Sequence, residues 1–248
     1  MLERDGVHIH YEEHGEGPAI LLSHGFCATL RMWQGQVAVF GGDYRIITWD
    51  MRGHGQTDSP TELAQYSAAE AVEDMAALLD ECGIERAIVG GHSLGGYLSL
   101  EFHLAYPERV RALMLFNTGP GYKNDQSREA WNETAEARAR AFDEKGLDAL
   151  GVSPEIGEHR GAEGLAHAAR GTLKQVDSRV IKSLPEIAVP TLALVGDKDR
   201  GYLAGTSYMA AKIPGAVHVV IPDAGHATNI QQPEAFNKAV RTFLAGIA

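Results

Sequence analysis

The sequence predicts an α/β protein: a mostly parallel central sheet covered by helices on both faces, with a helical cap inserted into it. Three observations predict this. Short apolar runs at Ala19–Ser23, Arg45–Trp49, Ala87–Gly91, Val110–Phe116, Thr191–Val195 and Val217–Ile221 read as strands, the first three of them as buried ones. Helical stretches alternate with these runs, which is the pattern of a parallel sheet covered on both sides. Between Gly119 and Pro185 that alternation stops, and no convincing strand is legible.

In chain order, Val7 to Glu13 alternates like a strand, and His14-Gly15-Glu16-Gly17-Pro18 is a turn. After the strands Ala19–Ser23 and Arg45–Trp49 comes a polar, glycine-rich loop, Asp50 to Gly55. Ser67-Ala68-Ala69-Glu70 matches a capping box. Behind it Val72, Met75, Ala76 and Leu79 share one helix face, and Gly83 ends the helix. Leu94 to Tyr106 reads as a second helix, stopped by Pro107. Within 119–185 the stretch Arg128 to Glu144 is helical, and Gly146, Gly151, Gly157, Gly161, Gly164 and Gly171 are joints. Pro233 to Ala245 closes the chain as a helix with Phe236, Val240 and Phe243 on one side. The expected division is a core of residues 1–118 and 186–248 with a cap of 119–185.

The 248 residues, 44% hydrophobic and 22% charged, are enough for a sizeable core without disulfides or metal. The formal net charge of −11 opposes binding to nucleic-acid phosphates and anionic lipid headgroups, and no Lys/Arg run offsets it. Cys27 and Cys82 form no disulfide framework and fit a reducing compartment. No signal-peptide pattern and no window of ~20 apolar residues is visible, so the expected location is the cytoplasm, with no membrane partner. There is no G-x-x-x-x-G-K-[ST], C-x-x-C or H-E-x-x-H, and His8-Ile9-His10 has no third ligand nearby, so neither a cofactor nor a metal is expected.

Gly91-His92-Ser93-Leu94-Gly95 carries the strongest chemical signal. It fits G-x-S-x-G between an apolar strand and a helix. A serine on such a sharp turn pushes its hydroxyl out of the sheet, and side chains at the flanking positions would collide with neighbouring elements. The helix start also sets the N–H of Leu94 beside the hydroxyl, where it can hold an oxyanion. A serine hydroxyl needs a base. Of the eleven histidines, His226 lies in a loop after the last strand, from which it can reach the serine. His8 and His10 read as surface residues, and His92 as pointing away from the site. Two carboxylates follow the strand Thr191–Val195: Asp197 next to the strand-ending glycine, suited to serve the turn, and Asp199 further out, suited to face the histidine.

Taken together, His24-Gly25-Phe26, Asp50-Met51-Arg52-Gly53-His54-Gly55-Gln56-Thr57-Asp58, Gly91 to Gly96, Gly196-Asp197-Lys198-Asp199 and Gly225-His226 give the chain a resemblance to the α/β-hydrolase superfamily along nearly its whole length. The resemblance implies the α/β-hydrolase fold. It implies Ser93 as nucleophile, His226 as base and Asp199, through G-x-x-D, as the acid, with the N–H groups of Phe26 and Leu94 as oxyanion donors. A serine at the nucleophile position sets the chain apart from the aspartate-dependent epoxide hydrolases and dehalogenases of this fold. The nearest-looking members are small carboxylesterases, enol-lactonases, carbon–carbon hydrolases and cofactor-free haloperoxidases. Two departures stand out: no proline follows Asp199, where Arg200-Gly201-Tyr202-Leu203 stands, and Cys27 follows His-Gly-Phe where related haloperoxidases carry proline. The expected activity is cleavage of a small carboxylic ester or lactone. The alternatives are carbon–carbon hydrolysis of a β-diketone-like substrate and a small-ligand receptor on the same fold. In the cap, Trp131, Phe142, Leu147 and Leu150 are candidates to line the pocket, and Tyr122 to reach its mouth.

Overall fold

The computed structural model describes residues 1–247. Its strands are β1 (Leu2–Arg4), β2 (Val7–Ile9), β3 (Tyr11–His14), β4 (Ala19–Ser23), β5 (Arg45–Trp49), β6 (Ala87–His92), β7 (Val110–Phe116), β8 (Thr191–Gly196) and β9 (Val217–Ile221). The helices are α1 (Gln34–Phe40), α2 (Ala68–Glu81), α3 (Leu94–Ala105), α4 (Asp125–Lys145), α5 (Ala162–Arg170), α6 (Arg179–Ser183), α7 (Leu203–Lys212), α8 (Thr228–Gln231) and α9 (Pro233–Ala245). The main sheet has seven strands in the order β3-β5-β4-β6-β7-β8-β9. Only β3, at one edge, runs antiparallel, to β5. Every residue of β6 and β8 is buried, as strands covered on both faces must be.

One apolar layer packs α2 and α3 on one face, around Val72, Met75, Leu79 and Phe102. The other packs α1 and α9 on the opposite face, around Trp33, Phe40, Phe236 and Val240. The four residues expected on one face of α2 are all buried. The Ser67 side chain accepts from the Glu70 N–H, the first half of a capping box. The second half is missing because the Glu70 carboxylate turns to Arg4 instead.

Val7 to Glu13 is not one strand, and the chain changes partner at His10. Before it, β2 pairs with β1 across Asp5-Gly6, both at positive φ as a tight hairpin turn requires. At the break, the His10 carbonyl accepts from Asp50 N–H, and its N–H donates to the Thr57 hydroxyl. The segment 119–185 holds α4, α5 and α6 and, among the described residues, no strand. An isolated antiparallel β-bridge, Ala28 to Ile156, helps join it to the core loop after β4. No helix of the described residues is long and apolar enough to cross a membrane.

Candidate active site

Ser93 stands between β6 and α3 at φ 53°, ψ −113°, a conformation that costs a non-glycine residue energy. The neighbouring glycines make it possible. A Cβ at Gly91 would lie 2.3 Å from the Gly95 carbonyl carbon, and one at Gly95 would lie 2.3 Å from the Ser23 carbonyl oxygen. The C-terminal ends of β4 and β6 and the start of α3 therefore meet at backbone distance, and Ser93 is left half-exposed at their junction. Leu94 opens α3, where first-turn amides have no intrahelical acceptor.

His226 and Asp199 meet beside it. The His226 Nδ1–H donates to Asp199 Oδ2 at 2.8 Å, which fixes the tautomer with Nε2 as the basic nitrogen. Asp199 is 8% exposed, whereas Asp197 is exposed and its backbone serves the turn by donating to the Ile221 carbonyl. A second donor reaches the same carboxylate oxygen: Asn117 Nδ2, at 2.8 Å, which also donates to the Gly225 carbonyl at 3.1 Å. Asn117 sits at φ 47° just past β7 and ties the acid loop to the histidine loop. Nothing in the sequence marked it.

His92 does not point away from the site. Its Nε2–H donates to the His226 carbonyl at 2.7 Å, and the two rings lie 4.5 Å apart. Burial holds its pKa well below the usual histidine value, so a neutral ring supports His226 from beneath. Tyr202, also unmarked, stacks on His226 at 4.9 Å and 20°. Burial pushes its phenol up.

Phe26 lies in the loop after β4, and His24 fixes that loop. His24 Nδ1–H donates to the Gly25 carbonyl at 2.7 Å, and Nε2 accepts from Met51 N–H at 3.0 Å. The second bond needs a neutral ring, and burial lowers its pKa to about 4. The glycine-rich 50–58 loop serves as scaffold: Asp50 accepts from the N–H groups of Leu30 and Gln56, and Arg52 is buried against Asp74 at 2.8 Å. Cys27 faces the site, but burial pushes its thiol up to about 12, so it stays protonated and unreactive.

Two cavities meet at Ser93. One, of about 240 Å³, runs along Gly119–Gly121 under Tyr97, Tyr122, Trp131 and Gln175. The other, of about 400 Å³, is lined by Phe26, Cys27, Arg138, Phe142, Leu150, Asp199 and His226. Trp131 and Tyr202 border both. Tyr122, 38% exposed, stands at the mouth of the first. Leu147, by contrast, lines neither and is exposed. Trp131 also packs structure, since its Nε1–H donates to the Leu173 carbonyl at 2.9 Å. Among the described residues no group of three or more His, Cys, Asp or Glu is placed to hold a metal ion.

A family model described as the alpha/beta hydrolase fold matches residues 18–179. The chain belongs to the α/β-hydrolase family, and it is a hydrolase-class enzyme of that fold. A Bacillus subtilis protein with the provisional name 2-succinyl-6-hydroxy-2,4-cyclohexadiene-1-carboxylate synthase is 30% identical, over 98% of this chain and 97% of its own. The 3-oxoadipate enol-lactonase 2 of Acinetobacter baylyi is 29% identical, over 98% of this chain and 95% of its own. Among solved structures, a thermophilic esterase from Thermogutta terrifontis superposes with a TM-score of 0.82 at 28% identity, covering 97% of this chain and 94% of its own.

Proposed function

We propose that the protein hydrolyses a carboxylic ester or lactone of a small molecule through an acyl-enzyme on Ser93. The observation that carries this reading is the His226–Asp199 bond of 2.8 Å beside a serine held at φ 53°. His226 Nε2 takes the Ser93 proton as Oγ attacks the carbonyl carbon. The N–H groups of Phe26 and Leu94 hold the oxyanion, each donor contributing about 3–4 kcal/mol of barrier lowering. His226 then gives its proton to the leaving oxygen, and water, deprotonated by the same nitrogen, releases the acid. Asp199, itself held by Asn117, keeps the imidazole oriented and stabilises its cation. The esterase and enol-lactonase among the similar proteins support this substrate class.

A panel of aryl esters and lactones of graded size tests the reading, with Ser93→Ala as the blank. Ester or lactone turnover that vanishes in the blank is the expected result. Turnover of a β-diketone without any ester cleavage would overturn it in favour of carbon–carbon hydrolysis. Tight binding with no turnover of any substrate would overturn it in favour of a receptor.

A further inference from the structure

We propose that the cavity along Gly119–Gly121 is the acyl subsite, and that Gln175 there accepts a hydrogen bond from a hydroxyl or amide N–H carried on the substrate's acyl chain. The proposal rests on the ester or lactone reading above. Two cavities share Ser93, but His226 lines only the larger one. The leaving oxygen must lie within reach of His226, so the leaving group occupies the larger cavity and the acyl group the smaller.

The smaller cavity has a particular chemistry. Among the described residues that line it, none is Lys, Arg, His, Asp or Glu. A charged acyl chain would lose its water there without gaining a partner. The wall does contain one unmet demand. Gln175 is 8% exposed, and its Oε1 is buried with no hydrogen-bond partner. Buried polar atoms are nearly always bonded, so an orphan acceptor on a cavity wall marks a place where a ligand donor belongs.

The surroundings hold that acceptor in place. Asn132 of α4 clamps the Gln175 backbone from both sides, accepting from its N–H and donating to its carbonyl, each at 2.9 Å. One residue earlier on the helix, the Trp131 Nε1–H donates to the Leu173 carbonyl. Gly121, at φ 82°, faces the amide, and a Cβ there would lie 2.7 Å from Gln175 Oε1 and 3.3 Å from the Tyr97 ring. The Tyr97 hydroxyl is turned to Glu101, so it does not supply the missing donor.

The test uses two ester series with one leaving group. Their acyl chains carry either a hydroxyl or a methyl at the same carbon, moved along the chain. The readout is the ratio of kcat/KM for the two members of a pair on the same enzyme, which cancels any loss of folded protein. The wild-type protein should favour the hydroxyl member at one chain position. Gln175→Leu should reduce that preference about tenfold, the scale of a buried acceptor losing its partner. Absence of a preference at every position in the wild type, or an unchanged ratio in Gln175→Leu, means that Gln175 binds only water and overturns the proposal. So does a preference that follows a hydroxyl placed on the alcohol instead. Failure of the ester reading itself looks different: no member of either series would then be cleaved in a way that Ser93→Ala abolishes.

Discussion

Asn117, Asp199 and His226 form a hydrogen-bonded chain that ends beside Ser93 on one cavity wall, and on the proposed function this sets the expected cost of removing each. Ser93→Ala and His226→Ala should each lower turnover at least about a thousandfold, and the double variant should lose little more, because the two act as one unit. Asp199→Asn should cost on the order of ten-thousandfold, since it disturbs the tautomer that the 2.8 Å bond selects. Asp197→Asn should leave turnover near the wild-type level, its side chain being exposed. Asn117→Ala removes one charge-assisted bond to Asp199 and should cost about ten- to a hundredfold. Steady-state kinetics on an aryl ester checks every one of these, and near-normal turnover in His226→Ala would mean that another residue is the base. That Ser93, His226 and Asp199 come together was legible because each stands at a sequence position that backbone geometry dictates: a glycine-flanked turn or the loop after a strand. Asn117, Tyr202 and the supporting face of His92 were not legible. Their roles depend on which loops converge in space, and no local pattern records that.

At the scale of elements, the inserted segment reaches the loop that holds Phe26. Cys27 sits at φ 64°, and its carbonyl accepts from both Gly157 N–H and His159 Nε2–H, each at 3.0 Å. His159 Nδ1 in turn accepts from Gly55 N–H at 3.0 Å, so one neutral ring pins the segment to two core loops. His159→Ala should therefore lower kcat more than it changes KM, by about tenfold, as the loop bearing the Phe26 amide loosens. His159→Gln, whose amide can both donate and accept, should recover most of the loss. Equal kinetics in the two variants, with only the melting temperature changed, would reduce His159 to a structural role. Trp131→Ala should lower the melting temperature and also alter preference among acyl chains, because the ring both bonds Leu173 and borders both cavities. The buried strands and α2, α3, α4 and α9 were legible from apolar runs, periodicity and caps. The hairpin β1–β2 was not singled out although Asp5-Gly6 is a hairpin signal, because the alternation from Val7 to Glu13 hides a change of partner. Helices α1 and α7 bury few residues and so leave a weak periodic pattern, though a parallel crossover from β8 to β9 requires an element such as α7.

At the scale of the whole molecule, the fold keeps several histidines out of water. His24, His54 and His92 are each at most 2% exposed. Burial lowers the pKa of all three, to about 4 for His24 and well below 6.5 for the others. Their bonds agree with neutral rings, since His24 uses Nε2 as an acceptor and His92 donates from one nitrogen only. The unfolded chain has no such restraint, and its histidines take up protons below about pH 6.5. Between about pH 6.5 and about pH 4 the unfolded state thus binds more protons than the folded one. This contribution to stability is fully present above pH 6.5 and is lost as the pH falls through that window. Each such histidine should contribute a slope of about 1.4 kcal/mol per pH unit. Urea unfolding at pH 7.5, 6.5, 5.5 and 4.5 measures the slope directly. His54→Gln removes one titrating group whose Nε2 has no hydrogen-bond partner, and it should flatten the curve below pH 6.5 by about one proton's worth. A wild-type curve that stays flat from pH 6.5 to 4.5 would mean that the buried rings carry protons in the folded state, which would break the bond from Met51 to His24 that orders the loop bearing Phe26.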